Sequence, residues 1–385
     1  MEKVVLNKAE INNTPEGMIA AVEKLLAPLG GMAKFVKPGS CVLVKPNVCV
    51  AAPPESAKVT DPKVVLAVVQ SALFAGAKEV WVSESCIVGG DTDNNFKAAG
   101  YDVFRNIDRV KLIDLKKEKV RQVEVKNAIC MKTLNIFERV FEADVIINMP
   151  KLKTLASVAT SMGMKNLKGL IRDDSKKQCH YNNLNGAIVD INRVIKPDLT
   201  IIDGLLGSSM YEPVEHGILL AGERIASLDA VGAVCVGVDP REVKYLCLAE
   251  EAGMGSIDVD NIEIVGEKPI DVMKEYKKVQ DDVDALSGIY PEITVCAGAA
   301  CSGCVTVLET LLRSAKTEGW GKPWENKLRL AIGLDAKLPS DELTTLRLGN
   351  CLAEGAGDNF IRGCPFINVE VKEWMNNNLI KEGLQ

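Results

Sequence analysis

The chain has 385 residues, 47% hydrophobic and 25% charged, with a formal net charge of -6. This is a globular make-up with room for two or three domains, and its acidic balance argues against broad nucleic-acid binding. No stretch approaches the roughly 20 apolar residues of a membrane span, and the short apolar run after Met1 is no export signal. A cytoplasmic address with reduced thiols is therefore expected, in which twelve cysteines point to metal ligation, the remainder serving as small buried hydrophobes.

In chain order, a strand and an amphipathic helix (Ile19 to Leu29) come first, closed by Gly30-Gly31. Cys41-Val-Leu-Val-Lys45 has the short β-branched run of a buried strand, ended by the turn pair Pro46-Asn47. Asp61-Pro62 starts a helix, with aspartate as N-cap and proline at the first position, and Gly76 stops it. Glu79 to Ser83 is the next strand, so the segment is a βαβ unit with parallel pairing. A short helix (Asn94 to Ala99), two strands (Lys111 to Leu115, Arg121 to Val125) and the apolar strand Ala143 to Asn148 follow. Beyond them lie a polar, glycine-punctuated segment (Ser161 to Gly169), a helix (Asn183 to Val194), a strand into Asp203, a short strand (Ile218 to Ala221), helices at 225–236 and 241–252, and a strand at Ile262 to Val265.

Residues 268–291 are charged and turn-rich and read as a linker between a body, 1–267, and a small module, 292–385. The module reads as strand, cysteine loop, helix (Val305 to Lys316), strand (Leu328 to Ile332), helix near Leu343, cysteine loop, and strand (Phe366 to Val371). The fold class is α/β: a mostly parallel sheet with flanking helices, plus the small module.

Five cysteines crowd the last quarter: Cys296, Cys301, Cys304, Cys351 and Cys364. Cys301 and Cys304 have C-x-x-C spacing, which lets two thiolates on one turn grip one metal centre, and two single cysteines beside glycines can close the shell. Four soft thiolates suit an iron–sulfur cluster or zinc. Structural zinc favours two C-x-x-C pairs, whereas Cys364-Pro365 ends like bacterial cluster runs; a [4Fe–4S] cluster on Cys301, Cys304, Cys351 and Cys364 is expected. The C-x4-C-x2-C run also admits Cys296 and a two-iron cluster.

Lys45, Asn47, Glu84, Asn148, Lys151, Lys153 and Asp203 all fall at predicted strand C-termini, where open α/β sheets bind ligands. Crowded lysines need a counter-ion. Lys45, Lys151, Lys153 and Lys165 therefore suggest a site for a carboxylate or phosphate, with Lys168 either joining them or on a solvated face. Asn47 and Asn166 would orient the ligand, and Asp203 would pair with the lysines or hold a metal. His180, after Cys179 in a polar loop, and Lys151 are the candidates for acid–base work. Asp229 reads as a helix cap, and Cys49 and Cys86 as buried fillers or a redox pair. No dinucleotide fingerprint or P-loop occurs.

Two resemblances add to this. Thr294 through Arg313, Gly349-Asn350-Cys351 with Gly355, and Gly363-Cys364-Pro365 resemble the proximal-cluster module of nickel–iron hydrogenase small subunits, except that Phe366 replaces a second proline. The likeness implies a flavodoxin-like module with one [4Fe–4S] cluster on the four named cysteines. Val44-Lys45-Pro46-Asn47, Thr60-Asp61-Pro62, Pro150 to Thr154, Met164 to Gly169, Ile202-Asp203-Gly204 and Ser227 to Ala230 resemble the domain of unknown function 362 family over about residues 40–250, whose members are commonly described as iron–sulfur proteins. The expected function is a redox enzyme acting on a small anionic substrate or cofactor in a lysine-lined cleft. The alternatives are an electron carrier or maturation factor docking an acidic partner protein, and a structural zinc protein.

Overall fold

The computed structural model describes residues 2–155, 158–277, 286–298, 300, 302–355, 357–363 and 365–379. The chain divides into two units, one of 1–154 with 160–276 and one of 155–159 with 277–385. The main divide falls after Tyr276, inside the stretch read as a linker.

Apart from Leu155 and Ala159, the first unit carries β1 (Glu2–Lys8), β2 (Cys41–Pro46), β3 (Glu79–Glu84), β4 (Val110–Asp114), β5 (Val120–Glu124), β6 (Thr133–Phe137), β7 (Val145–Met149), β8 (Lys151–Leu155), β9 (Ala159–Thr160), β10 (Leu199–Ser209), β11 (Glu212–Gly222) and β12 (Ile262–Gly266). The main sheet runs β12-β1-β11-β10-β7-β2-β3-β4, with β8 beside β10, while β5 and β6 form a separate ribbon. From β10 through β7, β2 and β3 to β4 every pairing is parallel, whereas β10–β11 and β11–β1 are antiparallel. β2 and β7 are buried almost throughout, as apolar runs covered on both faces must be.

Local signals set the helices on this sheet. Asp61 caps Pro62–Phe74 by accepting the Lys63 N–H at 2.8 Å, and the helix stops at Gly76, whose φ of +100° suits glycine. Val64, Val65, Val68 and Val69 of this helix join Val42, Val44 and Val82 in one apolar core. Two findings were absent from the sequence reading. β11 is far longer than Ile218 to Ala221 because it zips along β10 into a hairpin with Met210 and Tyr211 at its tip. Residues Asp173–Asn182 form a helix, whereas His180 within them was expected in a polar loop.

The second unit holds β13 (Thr294–Ala297), β14 (Leu328–Ile332), β15 (Thr344–Leu348) and β16 (Phe360–Ile361), all parallel. They lie in chain order, so these strands lack the exchange of the first two that marks a flavodoxin-like sheet. The helix expected near Leu343 is instead β15: its two threonines favour extended backbone, and Leu346 and Leu348 alternate into the core. The strand expected at Phe366 to Val371 gives way to a helix, Asn368–Asn378, which buries Val371 and Met375 one turn apart.

Candidate functional site

The parallel pairing brings the carboxyl ends of β2, β3, β7 and β10 to one edge of the first unit. Lys45, at the end of β2, is fully buried. Its Nζ donates to Glu84 Oε2 at 2.9 Å and to the Pro46 carbonyl at 2.6 Å. Glu84, at the end of β3, also accepts the N–H groups of Val48 and Ser85. Burial pushes the Lys45 pKa below its ordinary value, and the Glu84 carboxylate opposes that shift. Lys151 repeats the arrangement: its Nζ donates to Asp203 Oδ2 at 2.8 Å, and Asp203 accepts the N–H groups of Asp61 and Leu205. The Lys45–Glu84 pair joins two strand ends, whereas Asp203, expected at a strand end, lies midway along β10, which runs on to Ser209, and ties that strand to Lys151 at the start of its parallel neighbour β8.

Lys153 is half-buried and donates to Asn47 Oδ1 at 2.9 Å. Asn47 is oriented by giving its backbone N–H to Thr60 Oγ1 and its Nδ2 to the Lys58 carbonyl. Asn166 donates to the Lys45 carbonyl and to Asn148 Oδ1. The glycine-punctuated segment therefore folds as two short turns, Gly163–Asn166 and Leu167–Leu170, laid over the strand ends. Asp229 holds its start: the buried carboxylate accepts the N–H groups of Gly163 and Met164 at 2.7 and 2.9 Å. Asp229 is thus a cap, but for a turn on another element rather than for its own helix. Burial raises its pKa to about 7, against these hydrogen bonds.

Lys165, Lys168 and His180 are half-buried. His180 lies on the helix Asp173–Asn182 rather than in a loop, and its Nε2 is 2.5 Å from Lys168 Nζ. Burial, then the charges of Lys168 and Lys165, push its pKa well below the ordinary histidine value, leaving a neutral ring that accepts from Lys168. One turn earlier stands Lys176, which sequence reasoning did not single out. It is buried and donates to the carbonyls of Ser85 and Cys86, to Ser85 Oγ and to Asp173. Burial brings its pKa down to about 8. The Asp173–Lys176 spacing was the available signal, but it is meaningful only on a helix. Cys86 is buried, its thiol pKa raised by burial, and the Ile87 N–H donates to the Cys49 carbonyl.

In the second unit, β13, β15 and β16 lead into the three cysteine loops at one edge of a parallel sheet. Cys304 Sγ lies 3.5 Å from the place a Cβ on Gly349 would take, and the Gly363 carbonyl oxygen 3.6 Å from the same point. The loops at 349–351 and 363 are tied by the Asn350 N–H to the Gly363 carbonyl at 2.9 Å and by the Gly363 N–H to Asn350 Oδ1 at 3.0 Å. Cys301 and Cys364 lie outside the described residues. Among the described residues no three His, Cys, Asp or Glu side chains form a metal-holding group. Cys296 neighbours Arg329, whose charge opposes the burial that raises its thiol pKa.

Residues 42–234 match the family described as Domain of unknown function (DUF362). The chain belongs to the DUF362 family. The matched span holds every candidate of the first unit, from Lys45 to Asp229, and stops short of the cysteine loops. The thylakoid-associated protein sll1697 of Synechocystis sp. is 31% identical over 251 residues, 62% of this chain and 75% of that protein. Among solved structures, the lactate racemase apoprotein of Thermoanaerobacterium thermosaccharolyticum is 10% identical, with a TM-score of 0.36 over 86% of this chain and 69% of its own. A Thermotoga maritima protein is 14% identical, with a TM-score of 0.29 over 49% of this chain; the chain spans 50% of that protein's length. No helix among the described residues of this DUF362 protein is long and apolar enough to cross a membrane.

Proposed function

We propose that this DUF362 protein is an iron–sulfur redox enzyme of a reducing, cytoplasmic compartment. Its [4Fe–4S] cluster would be held by Cys301, Cys304, Cys351 and Cys364, and its substrate would be a small anion at the strand ends of the first unit. The observation that carries the reading is the approach of Cys304 Sγ to Gly349, two residues before Cys351, in a loop that is hydrogen-bonded through Asn350 to Gly363, the residue before Cys364. The donor set fits: four soft thiolates match iron–sulfur ligation, and glycines at 349 and 363, with φ of +92° and +145°, permit backbone turns that other residues adopt only with strain. When bound, such a cluster supplies single-electron transfer.

The chain's own residues bind and orient. Lys153, Lys165 and Lys168 are the half-buried cations for the anion, while Asn47 and Asn166 steady the segments that carry them. Lys45 and Lys151, satisfied by Glu84 and Asp203, keep the frame rigid in this reading. Burial of lysines at a strand edge favours an enzyme over a flat docking face for an acidic partner. Oxygen-free purification tests the proposal: about four irons and four sulfides per chain, with visible absorbance that dithionite bleaches, are expected. Stoichiometric zinc in their place would sink it, as would full iron content in a Cys301→Ala, Cys304→Ala variant.

A further inference from the structure

We propose that Lys153 and Lys58 together bind a small dicarboxylate, with Tyr211 holding Lys58 in place. The inference rests on the anion-site reading above and names its ligand class, together with a cation that the sequence did not single out. Asn47 stands between the two lysines: its Oδ1 accepts from Lys153 Nζ at 2.9 Å, and its Nδ2 donates to the Lys58 carbonyl at 2.8 Å. The Lys58 ammonium lies over the Tyr211 ring, 5.9 Å from its centroid. Tyr211 is in turn tied to the strand of Lys153, because the Met210 N–H donates to Thr154 Oγ1 at 3.3 Å and Ser208 is paired with Lys153 across β10 and β8. Two separate routes through the fold therefore connect the lysines. Lys58, Lys153 and Tyr211 are all half-buried.

Charge and backbone both mark this corner as a site. Lys45, Lys151 and Lys176 each face a carboxylate, whereas among the described residues neither Lys58 nor Lys153 has one. A half-buried ammonium held only by an amide oxygen or a ring face is short of counter-charge, which a bound anion supplies. The backbone that carries Lys58 and Tyr211 is also one that glycine would adopt freely. Ala57, just before Lys58, has a φ of +57°, and Met210 and Tyr211 have φ of +47° and +77°. Left-handed residues with side chains are costly and gather at ligand sites. Each ammonium has its own anchor, so a ligand that meets both presents negative charge at two points. A dicarboxylate does this with one carboxylate for each lysine.

Titration calorimetry of the full, cluster-loaded chain with succinate tests this, at fixed ionic strength and neutral pH, where both carboxylates are ionised. Succinate should bind roughly tenfold or more tightly than acetate. Lys58→Gln and Lys153→Gln should each bring succinate down to the acetate level while keeping the thermal midpoint. Tyr211→Phe, which keeps the ring face, should bind succinate like the wild type, and Tyr211→Leu should bind it like Lys58→Gln. Succinate binding no tighter than acetate, phosphate binding tighter than succinate, or succinate affinity unchanged in Lys58→Gln or in Tyr211→Leu would overturn the proposal. If acetate or phosphate still binds through Lys153 in those cases, the anion-site reading stands without it, whereas no binding of any of the three anions removes both. Iron content is untouched by these outcomes, so the iron–sulfur assignment is judged separately.

Discussion

Lys45 Nζ and Glu84 Oε2 meet at 2.9 Å with both side chains closed off from solvent. Their strands are neighbours, and each residue is near the C-terminal end of its own strand, so the pair locks the edge from which the candidate site is built. Lys151, at the start of β8, and Asp203, midway along β10, make a second buried pair that ties these two strands together.

Breaking one partner of the first pair leaves an uncompensated buried charge. Glu84→Gln is expected to cost about 3–5 kcal/mol, and Lys45→Met a comparable amount through the orphaned carboxylate. The double variant should cost much less than the sum, as measured by urea unfolding. Strict additivity would show that the two charges do not act as a unit.

Gly169 is the lid on that pair. A Cβ there would stand 2.2 Å from Glu84 Oε1 and 2.6 Å from Lys45 Nζ, so Gly169→Ala must push the 167–170 turn off the strand ends. The expected loss is about 1–3 kcal/mol, with faster amide exchange through residues 163–170. Unchanged exchange in that segment would contradict the packing argument.

Asp229 makes stability fall as the solution becomes more basic. Its pKa is raised from 3.8 to about 7 by burial, so the folded state holds the proton more firmly than the unfolded chain. The contribution is full below about pH 4 and is lost as pH rises to about 7, by at most about 4 kcal/mol. Asp229→Asn should remove this slope from the stability–pH curve, and a slope that survives would assign it to another group.

His216 acts in the opposite direction. Val272 can only accept through its carbonyl oxygen, so His216 Nε2 carries the proton and donates at 2.9 Å, leaving Nδ1 to accept from Tyr276 Oη. Burial lowers its pKa from 6.5 to about 4. Stability is therefore complete above pH 6.5 and lost as pH falls toward 4, by up to about 3 kcal/mol. Acidification should loosen residues 269–276 first, and His216→Gln should blunt that response in amide exchange measured at pH 5.

The thiols give a paired expectation. Cys304→Ala or Cys351→Ala should lower bound iron below about one quarter of the wild-type content if four thiolates are needed. Cys247→Ala, whose Sγ contacts only the Arg241 carbonyl among the hydrogen bonds assigned to it, should retain all of it. Equal loss in all three would point to general instability instead of ligation.

Much of this protein was legible in its residue order. The β-branched runs at 41–45 and 143–148, the Asp61-Pro62 cap and the glycine stops carry their own local physics, and so did the α/β class and the gathering of lysines at strand ends. Alternation misled at 366–371 because Val369 and Val371 fit a strand and a helix equally well until Met375 packs one turn on. It also left His180 in a loop, since few apolar side chains mark the helix Asp173–Asn182, and the contacts of Lys176 to Ser85 and Cys86 lie about 90 residues away.

What the chain of letters determined by itself was which groups stand near strand ends, because a parallel sheet puts all carboxyl ends on one edge. Only the folded arrangement decided which charges cancel. Lys45 and Lys151 found carboxylates 39 and 52 residues away, while Lys168 came to rest on an imidazole. Pairing of this kind depends on distances between remote segments, and no local pattern encodes those.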